Sequence, residues 1–309
     1  MVGSVESRFS AFTERLKVPA IAAPMFLVSG PELIIAAAKA GMAAAFPAPN
    51  ARTIEDLDAW MASIGQGLGA ADAPWALNIV AHQSYARLQE ELALVIKHRP
   101  AMVITALGSP KRVVDAVHSY GGLVFADVIS VGFAGKCVQA GVDGLILVCA
   151  GAGGHTGQLS PFAFIDVVRG FFAGPLVVGG AISTGRAVRA VEVLGADLAY
   201  IGTPFVAAKE SLAPDAYKNM LVASTHEDLV QTTAVTGVRA NWLKASLAAA
   251  GIDPTVVTED GPVFSDPAAA FRRWKDTWSA GQGVDGIKKV ELAADIVERI
   301  AQEYHAACR

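Results

Sequence analysis

The stretch QAGVDGLILVCAGAGGHTG, residues 139–157, holds the pattern that decides the fold. A helical segment ends at a glycine, an apolar run follows at once, and a glycine-rich loop comes after the run. A parallel sheet needs short helix-to-strand joints of this kind, because each crossover must return to the same edge of the sheet. The joint recurs in KAGMAAAFPA (39–48), SYGGLVFADV (119–128) and VLGADLAYIG (193–202).

Eight short apolar runs alternate along the chain with longer segments of helical spacing. Strands that are apolar throughout are usually covered on both faces, and eight strand–helix units favour a closed barrel over an open doubly wound sheet. We therefore predict an α/β fold, a (β/α)8 TIM barrel with a small helical insertion after strand eight. The predicted strands are 20–25, 43–48, 75–81, 102–108, 122–130, 144–151, 175–181 and 198–205.

The alternation stops after Phe205, which divides the chain into three predicted parts. These are the barrel at 1–206, a helical subdomain at 207–273, and a segment at 274–309 that returns to the barrel. Helix boundaries are also visible within the barrel. The segment STGRAVRAVEVLG, for example, begins at Ser183 or Thr184 and ends at a glycine.

The composition limits the functions that are open to this chain. It has 309 residues, 53% of them hydrophobic and 17% charged, with a net charge of −4. Without a run of like charges, it has no electrostatic footprint for nucleic acid or an anionic membrane. Three cysteines match neither a zinc site nor a disulfide framework. With no export signal or membrane span visible, we expect reduced thiols, no metal and a cytoplasmic protein.

Glycines cluster where the last predicted strands end, which is where the functional groups of a barrel sit. Glycine lets backbone N–H groups approach a ligand closely, and GGAISTG (179–185) followed by a helix offers amides to a phosphate. A single Gly-Gly pair often serves only a tight turn. Glycine loops after strands seven and eight together favour a phosphate site, because barrels most often hold phosphate there.

His155 is the candidate catalytic residue because of its position. A lone histidine is more often structural, but this one follows the predicted sixth strand and is flanked by glycines that leave room for a planar ligand. Its unperturbed pKa, about 6.5, suits proton transfer.

Several motifs together resemble the nitronate monooxygenase family, formerly called 2-nitropropane dioxygenases. They are AAPM (22–25), AGAGGHTG (150–157), GGAISTGRAVRAVEVLGADLAYIGTPFVAAKES (179–211), TAVTGVRANWLKASL (233–247) and WSAGQGV (278–284). The resemblance covers nearly the whole chain and implies FMN as the cofactor. The family is similar in fold to FMN-dependent enoyl-acyl-carrier-protein reductases and some NADH:quinone reductases, so the resemblance implies FMN more firmly than a substrate.

The resemblance also implies a role for individual residues. His155 falls on the family's catalytic histidine, beside the flavin. The implied cofactor-binding residues are Ala23, Pro24 and Met25 under the isoalloxazine ring, Asn78 as a polar contact, Gly179, Gly180, Gly202 and Thr203 at the phosphate, and Gln282 in a loop that approaches the site.

Two positions depart from the family pattern. Gly151 stands where the family usually has a glutamate before the glycines and histidine. Asp127 stands after strand five in place of Thr, Ser or Lys, and we count it among the cofactor-binding residues. A carboxylate there would disfavour an anionic reduced flavin. Asp127 could instead cap the neighbouring loop.

Three functions are weighed. The first is FMN-dependent oxidation of alkyl nitronates or nitroalkanes with O2, in which His155 binds the nitro oxygens or removes the α-proton. The second is NAD(P)H-dependent, FMN-mediated reduction of quinones or activated alkenes. The third is a phosphosugar isomerase or lyase, which ranks last because Asp127 is almost the only strand-end carboxylate. The expected partners are a small-molecule substrate and O2; a homodimer is left open.

Overall fold

A closed barrel of eight parallel strands forms the centre of the fold. The computed structural model describes residues 3–256 and 274–309. Each barrel strand pairs with the next one along the chain, and the last pairs with the first, where Ile21 lies opposite Tyr200. The predicted TIM barrel is confirmed. Its strands are β1 Ala20–Ala22, β2 Ala43–Pro47, β3 Trp75–Val80, β4 Met102–Ala106, β5 Leu123–Val128, β6 Gly144–Val148, β8 Leu176–Gly179 and β9 Leu198–Ile201.

Several helices begin at residues whose side chains satisfy first-turn amides. Ser130, Ser160 and Thr184 each accept a hydrogen bond from the amide three residues further on. The side-chain oxygen supplies the acceptor that these amides lack. The helices are α1 Val5–Thr13, α2 Pro31–Lys39, α3 Ile54–Gly67, α4 Leu88–His98, α5 Lys111–His118, α6 Val131–Gln139, α7 Pro161–Arg169, α8 Gly185–Val193, α9 Thr203–Val206, α10 Asp215–Ala223, α11 Lys244–Ala249 and the C-terminal helix Ala293–Ala307.

Helix α1 closes the amino end of the barrel. The ring of Phe9 stacks on that of Phe125, with 6.1 Å between centroids. Arg8 donates to the carboxylate of Asp143 at 2.7 Å, and His118 lies 2.8 Å from the other oxygen of that carboxylate. Asp143 immediately precedes β6, so these contacts fasten α1 across the amino ends of the strands. A ligand must therefore enter from the carboxyl end, which we call the mouth.

Three further strands form an antiparallel sheet outside the barrel. Their order is β10–β11–β7, with bounds Leu229–Thr232, Ala240–Leu243 and Gly154–His155. The prediction of a helical segment over 207–273 is corrected here, because α10 and α11 are helices but β10 and β11 are strands. Short strands that pair with a distant dipeptide leave no clear period in the sequence. Residues 257–273 lie outside the described residues, and the segment boundaries at 206 and 273 remain predictions.

The C-terminal helix packs directly against α8, with close backbone contact at Gly185. A Cβ atom at Gly185 would lie 2.1 Å from the carbonyl oxygen of Ile300, so only glycine fits there. The amide of Gly185 donates to the carboxylate of Glu303 at 2.8 Å, and the hydroxyl of Tyr304 lies 3.0 Å from the carboxylate of Glu192. The amino end of α8 is thus covered by protein.

Candidate active site

Three polar side chains, Asn78, Asp127 and Tyr200, form a layer that we call the floor cluster. Each follows an apolar residue of the barrel interior by two positions, on β3, β5 and β9. Because side chains alternate along a strand, the three point into the barrel at its carboxyl end. Tyr200 was not among the sequence candidates, although its alternation with buried Leu198 is a signal that could have identified it.

Asp127 has few hydrogen-bond partners for a buried carboxyl group. Its Oδ2 accepts from the side-chain amide of Asn78 at 3.4 Å. Its buried Oδ1 has no partner within the described chain. Burial raises the pKa of Asp127 to about 7. Within the described chain no hydrogen bond joins Asp127 to the neighbouring loop, and the cap of the next helix is Ser130.

Tyr200 also carries an unpartnered polar atom. Its hydroxyl is buried and makes no hydrogen bond to any residue that the structure describes. Burial raises the pKa of Tyr200 well above 10, and the nearby Asp127 carboxylate raises it further. Gly179 lies opposite Tyr200, and a Cβ atom there would be 3.2 Å from the Cβ of Tyr200. Gly179 therefore makes room for the tyrosine, a contact that its predicted phosphate role did not anticipate.

The loops after β8 and β9 hold amides that are free to bind a ligand. Across 3–256 and 274–309, the N–H groups of Gly180, Gly202 and Thr203 donate to no protein acceptor. Gly180 has φ +135°, and a Cβ atom there would lie 2.8 Å from the carbonyl oxygen of Ala150. At Gly202 the nearest atom would be Met25 Sδ, at an ordinary 3.6 Å. The protein itself therefore does not require glycine at 202, but an anion close to these amides would.

Two amides at the amino end of α8, which the sequence offers to a phosphate, are bonded within the protein. The sequence offers the amides of GGAISTG, but that of Gly185 is bonded to Glu303, and that of Ala187 is bonded to its own cap, Thr184. A carboxylate at a helix amino terminus takes the place that an anion would occupy. The amides of Gly180, Gly202 and Thr203, at the ends of β8 and β9, have no such acceptor in the described chain.

The loop after β1 carries Ala23, Pro24 and Met25 to the same side of the mouth as Gly202. The amide of Ala23 bonds to the carbonyl of Ile201 at 2.8 Å. The side chain of Asn50 fixes the next turn, donating to the carbonyl of Met25 at 2.9 Å and accepting from the amide of Leu27 at 2.9 Å. Asn50 was missed because its role depends on a loop distant in sequence. The loop is rigid enough to support a planar ligand.

The side chain of His155 is half-buried between the outer sheet and an indole ring. It pairs with Ala240 of β11, and its Nε2 lies 3.3 Å from the hydroxyl of Thr236. The ring of Trp274 meets it edge-on, with 5.5 Å between centroids. Burial lowers the pKa of His155 to about 4. The imidazole is therefore neutral at pH 7, which corrects the expectation of an ordinary pKa near 6.5.

Gln282 reaches the mouth through the contact of two glycine loops. The backbone amide of Gln282 donates to the carbonyl of Gly151 at 2.9 Å. The backbone amide of Gly281 donates to the hydroxyl of Thr203, also at 2.9 Å. A Cβ atom at Gly151 would lie 2.7 Å from Gln282 Oε1, and one at Gly153 would lie 2.7 Å from the amide nitrogen of Gly281. Gly151 and Gly153 therefore make room for the loop that carries Gly281 and Gln282, and not only for a ligand.

A cavity of about 610 Å³ lies beside these loops. Cavities of this size accept cofactors and small-molecule substrates. Its lining combines the mouth with the outer sheet and consists of Ala181, His226, Leu229, Gln231, Asn241 and Gln282. Among the described residues, no three His, Cys, Asp or Glu side chains are grouped to hold a metal ion. In the same part of the chain, no helix combines the length and the apolar character needed to cross a bilayer.

Solved structures superimpose on nearly the whole chain. Nitroalkane oxidase from Streptomyces ansochromogenes superimposes with a TM-score of 0.81 at 24% identity, over 97% of this chain and 99% of that one. FabK from Thermotoga maritima gives a TM-score of 0.80 at 23% identity, over 97% and 96%. At these identities the likeness concerns the fold.

Curated relatives align with this chain over only part of their own length. Nitronate monooxygenase from Paraburkholderia phytofirmans is 30% identical over 53% of this chain and 47% of its own. The protein of the same name from Pseudomonas aeruginosa is 28% identical over 69% and 66%. The chain thus spans less than two thirds of the length of these relatives. The family model for nitronate monooxygenase matches residues 70–303. That match includes every barrel strand from β3 onward and the histidine loop, and the chain belongs to the nitronate monooxygenase family.

Proposed function

We propose that this protein is an FMN-dependent enzyme that oxidises alkyl nitronates with O2. One observation carries the proposal: a neutral, half-buried His155 follows β6 at the same end of the barrel as the free amides of Gly180, Gly202 and Thr203. Family membership supports the same reaction.

The residues of the mouth fit FMN. The amides of Gly180, Gly202 and Thr203 would hold the phosphate, since unpaired N–H groups suit a dianion. The loop of Ala23, Pro24 and Met25 would support the ring, and the floor cluster offers polar groups that lack partners. When bound, FMN supplies the acceptor for the substrate's electrons, and the barrel provides position and electrostatics.

His155 would bind the substrate rather than deprotonate it. A base with a pKa of about 4 is weak beside a nitroalkane carbon acid, because proton transfer is efficient when the two pKa values are matched. A neutral imidazole retains an N–H that donates a hydrogen bond to a nitronate oxygen, where the negative charge is concentrated. We therefore favour the preformed nitronate anion over the neutral nitroalkane as the substrate.

The second candidate is reduction of a quinone or activated alkene with NAD(P)H. The cavity beside His226, Gln231 and Asn241 favours it, because about 610 Å³ of space, with both polar and apolar groups in its lining, is more than a small nitronate needs. The same barrel occurs in a domain described as an enoyl reductase, that of MlnA from Bacillus amyloliquefaciens.

Anaerobic flavin reduction distinguishes the candidates. The purified protein, loaded with FMN, is mixed with a nitronate, with the corresponding neutral nitroalkane, with NADH and with NADPH, and the flavin absorbance is followed. We expect rapid bleaching by the nitronate and slow bleaching by the nitroalkane. Rapid bleaching by a nicotinamide, with none by the nitronate, would move the second candidate to first place. Protein that acquires no flavin spectrum with FMN would contradict both.

A further inference from the structure

The floor cluster contains two buried polar atoms that no protein group satisfies. They are Oδ1 of Asp127 and the hydroxyl oxygen of Tyr200, both without a hydrogen-bond partner in the described chain. An unsatisfied buried polar group destabilises a fold, and native proteins contain few of them. The two atoms lie on β5 and β9 in the layer nearest the mouth, which is the layer that a ligand entering from the carboxyl end meets first.

The surroundings of Asp127 favour its uncharged form. Its hydrogen-bond donor is the amide of Asn78 on β3, at 3.4 Å, and that amide is shared with the carbonyl of Ile104 at 3.3 Å. The hydroxyl of Tyr200 is the titratable group that acts on it from β9. The adjacent strands β4 and β6 end in Ala106 and Val148, which carry no charge. Burial therefore acts on Asp127 without a compensating cation.

A neutral carboxyl group differs from a carboxylate in the bonds it can form. The acid has one O–H donor, whereas the anion only accepts. The edge of a flavin ring carries nitrogen and carbonyl acceptors, so a carboxylate facing such an acceptor would repel it. A protonated Asp127 would instead donate to it.

We propose that Asp127 binds FMN as the neutral acid, donating a hydrogen bond to an acceptor of the isoalloxazine ring, with Tyr200 as the second donor of the same subsite. The inference rests on the proposed FMN dependence. It makes FMN binding proton-linked, because only the protonated form of Asp127 makes the bond.

The test is the dissociation constant of FMN as a function of pH. Quenching of FMN fluorescence is measured between pH 5.5 and 8.5 for the wild type, Asp127→Asn and Tyr200→Phe. The asparagine side chain keeps the shape and always carries a donor. Since the apoprotein carboxyl group has a pKa of about 7, wild-type affinity should fall about tenfold per pH unit above pH 7. The affinity of Asp127→Asn should not show that fall.

Ionisation of the FMN phosphate affects wild type and variant equally, so the difference between them reports Asp127. At pH 8 we expect Asp127→Asn to bind FMN about tenfold more tightly than the wild type. Calorimetry in buffers of different ionisation enthalpy should show proton uptake on binding that the variant lacks. Tyr200→Phe should weaken binding at every pH and retain the wild-type slope.

The outcomes separate the two proposals. If wild type and Asp127→Asn bind FMN with parallel pH profiles, the proton-linked subsite is wrong and the flavin assignment stands. If the wild type binds no FMN at any pH, both are wrong. Unchanged affinity in Tyr200→Phe would remove the tyrosine from the subsite.

Discussion

The imidazole of His155 stands edge-on to the indole of Trp274, with 5.5 Å between the ring centroids. This contact and the pairing of β7 with β11 leave the histidine half-buried. The loss of solvent around the ring lowers its pKa to about 4 and keeps it uncharged at pH 7.

The first prediction concerns His155→Ala. We expect nitronate turnover to fall by about 10²-fold or more, the usual effect of losing a positioned hydrogen-bond donor, with FMN content and thermal stability near the wild-type values. Wild-type turnover should show no midpoint near pH 6.5, because His155 is neutral throughout pH 5.5–8. His98→Ala, on α4, serves as a control that should leave turnover unchanged. Loss of flavin or unfolding in His155→Ala would assign the ring a structural role.

The second prediction is that the contributions of His155 and Asp127 to the free energy of unfolding change in opposite directions with pH. For His155 the folded pKa, about 4, lies below the unfolded value of about 6.5, so its contribution is lost as pH falls from 6.5 toward 4. For Asp127 the folded pKa, about 7, lies above the unfolded value of about 3.9, so its contribution is lost as pH rises toward 7.

Urea unfolding of the apoprotein between pH 4.5 and 7 checks both signs. In Asp127→Asn the free energy of unfolding should increase with pH, and in His155→Phe it should decrease, each by up to about 1.4 kcal/mol per pH unit relative to the double variant. Identical profiles in the two single variants would show that neither group is perturbed by burial.

The third prediction compares two glycines of the mouth. Gly202→Ala should leave the apoprotein as stable as the wild type, since the added Cβ meets only ordinary contacts, while weakening FMN binding by about tenfold or more. Gly180→Ala should cost about 1–3 kcal/mol of stability as well, because φ is +135° and the Cβ would contact the Ala150 carbonyl. Thermal unfolding and FMN titration measure the two effects. Normal FMN affinity in Gly202→Ala would show that the phosphate does not bind close to the Gly202 amide.

The fourth prediction concerns the family departure at Gly151. Restoring the family residue with Gly151→Glu should destabilise the protein by about 1–3 kcal/mol, because φ is +87° and the side chain would displace Gln282. Gly151→Ala in a Gln282→Ala background should cost less than in the wild type, since the nearest obstacle is gone. A double-mutant cycle in thermal unfolding measures this coupling. Full additivity would show that the two positions do not interact.

The fifth prediction separates the α8 amino end from the phosphate site. Glu303→Ala removes the acceptor of the Gly185 amide and should lower stability by about 1 kcal/mol without changing FMN affinity. The matched control is Glu298→Ala, on the same helix as Glu303, which removes an exposed ion pair with Lys17. It should have a smaller effect on stability. If Glu303→Ala weakens FMN binding and Glu298→Ala does not, the phosphate site would have to be assigned to the amino end of α8.

The barrel could be predicted because its signal is local. Each joint between helix, glycine and apolar strand lies within ten residues, as in SYGGLVFADV. The outer sheet could not be predicted, because β7 is only two residues long and its partner strand is distant in sequence. The pKa of His155 also escaped prediction, because it depends on the burial created by that sheet and by Trp274. Closure of α8 by Glu303 is likewise a tertiary event that a local motif cannot report.

The bond between the Gln282 amide and the Gly151 carbonyl sets an order of events in the cell. A ribosome adds about 5–20 residues per second, so Gly151 emerges on the order of 10 s before Gln282. During that interval the loop after β6 lacks the partner that fixes it. The nascent chain thus carries all the barrel strands before it can complete the mouth, and any ligand that needs this loop in place must wait until synthesis has passed residue 282.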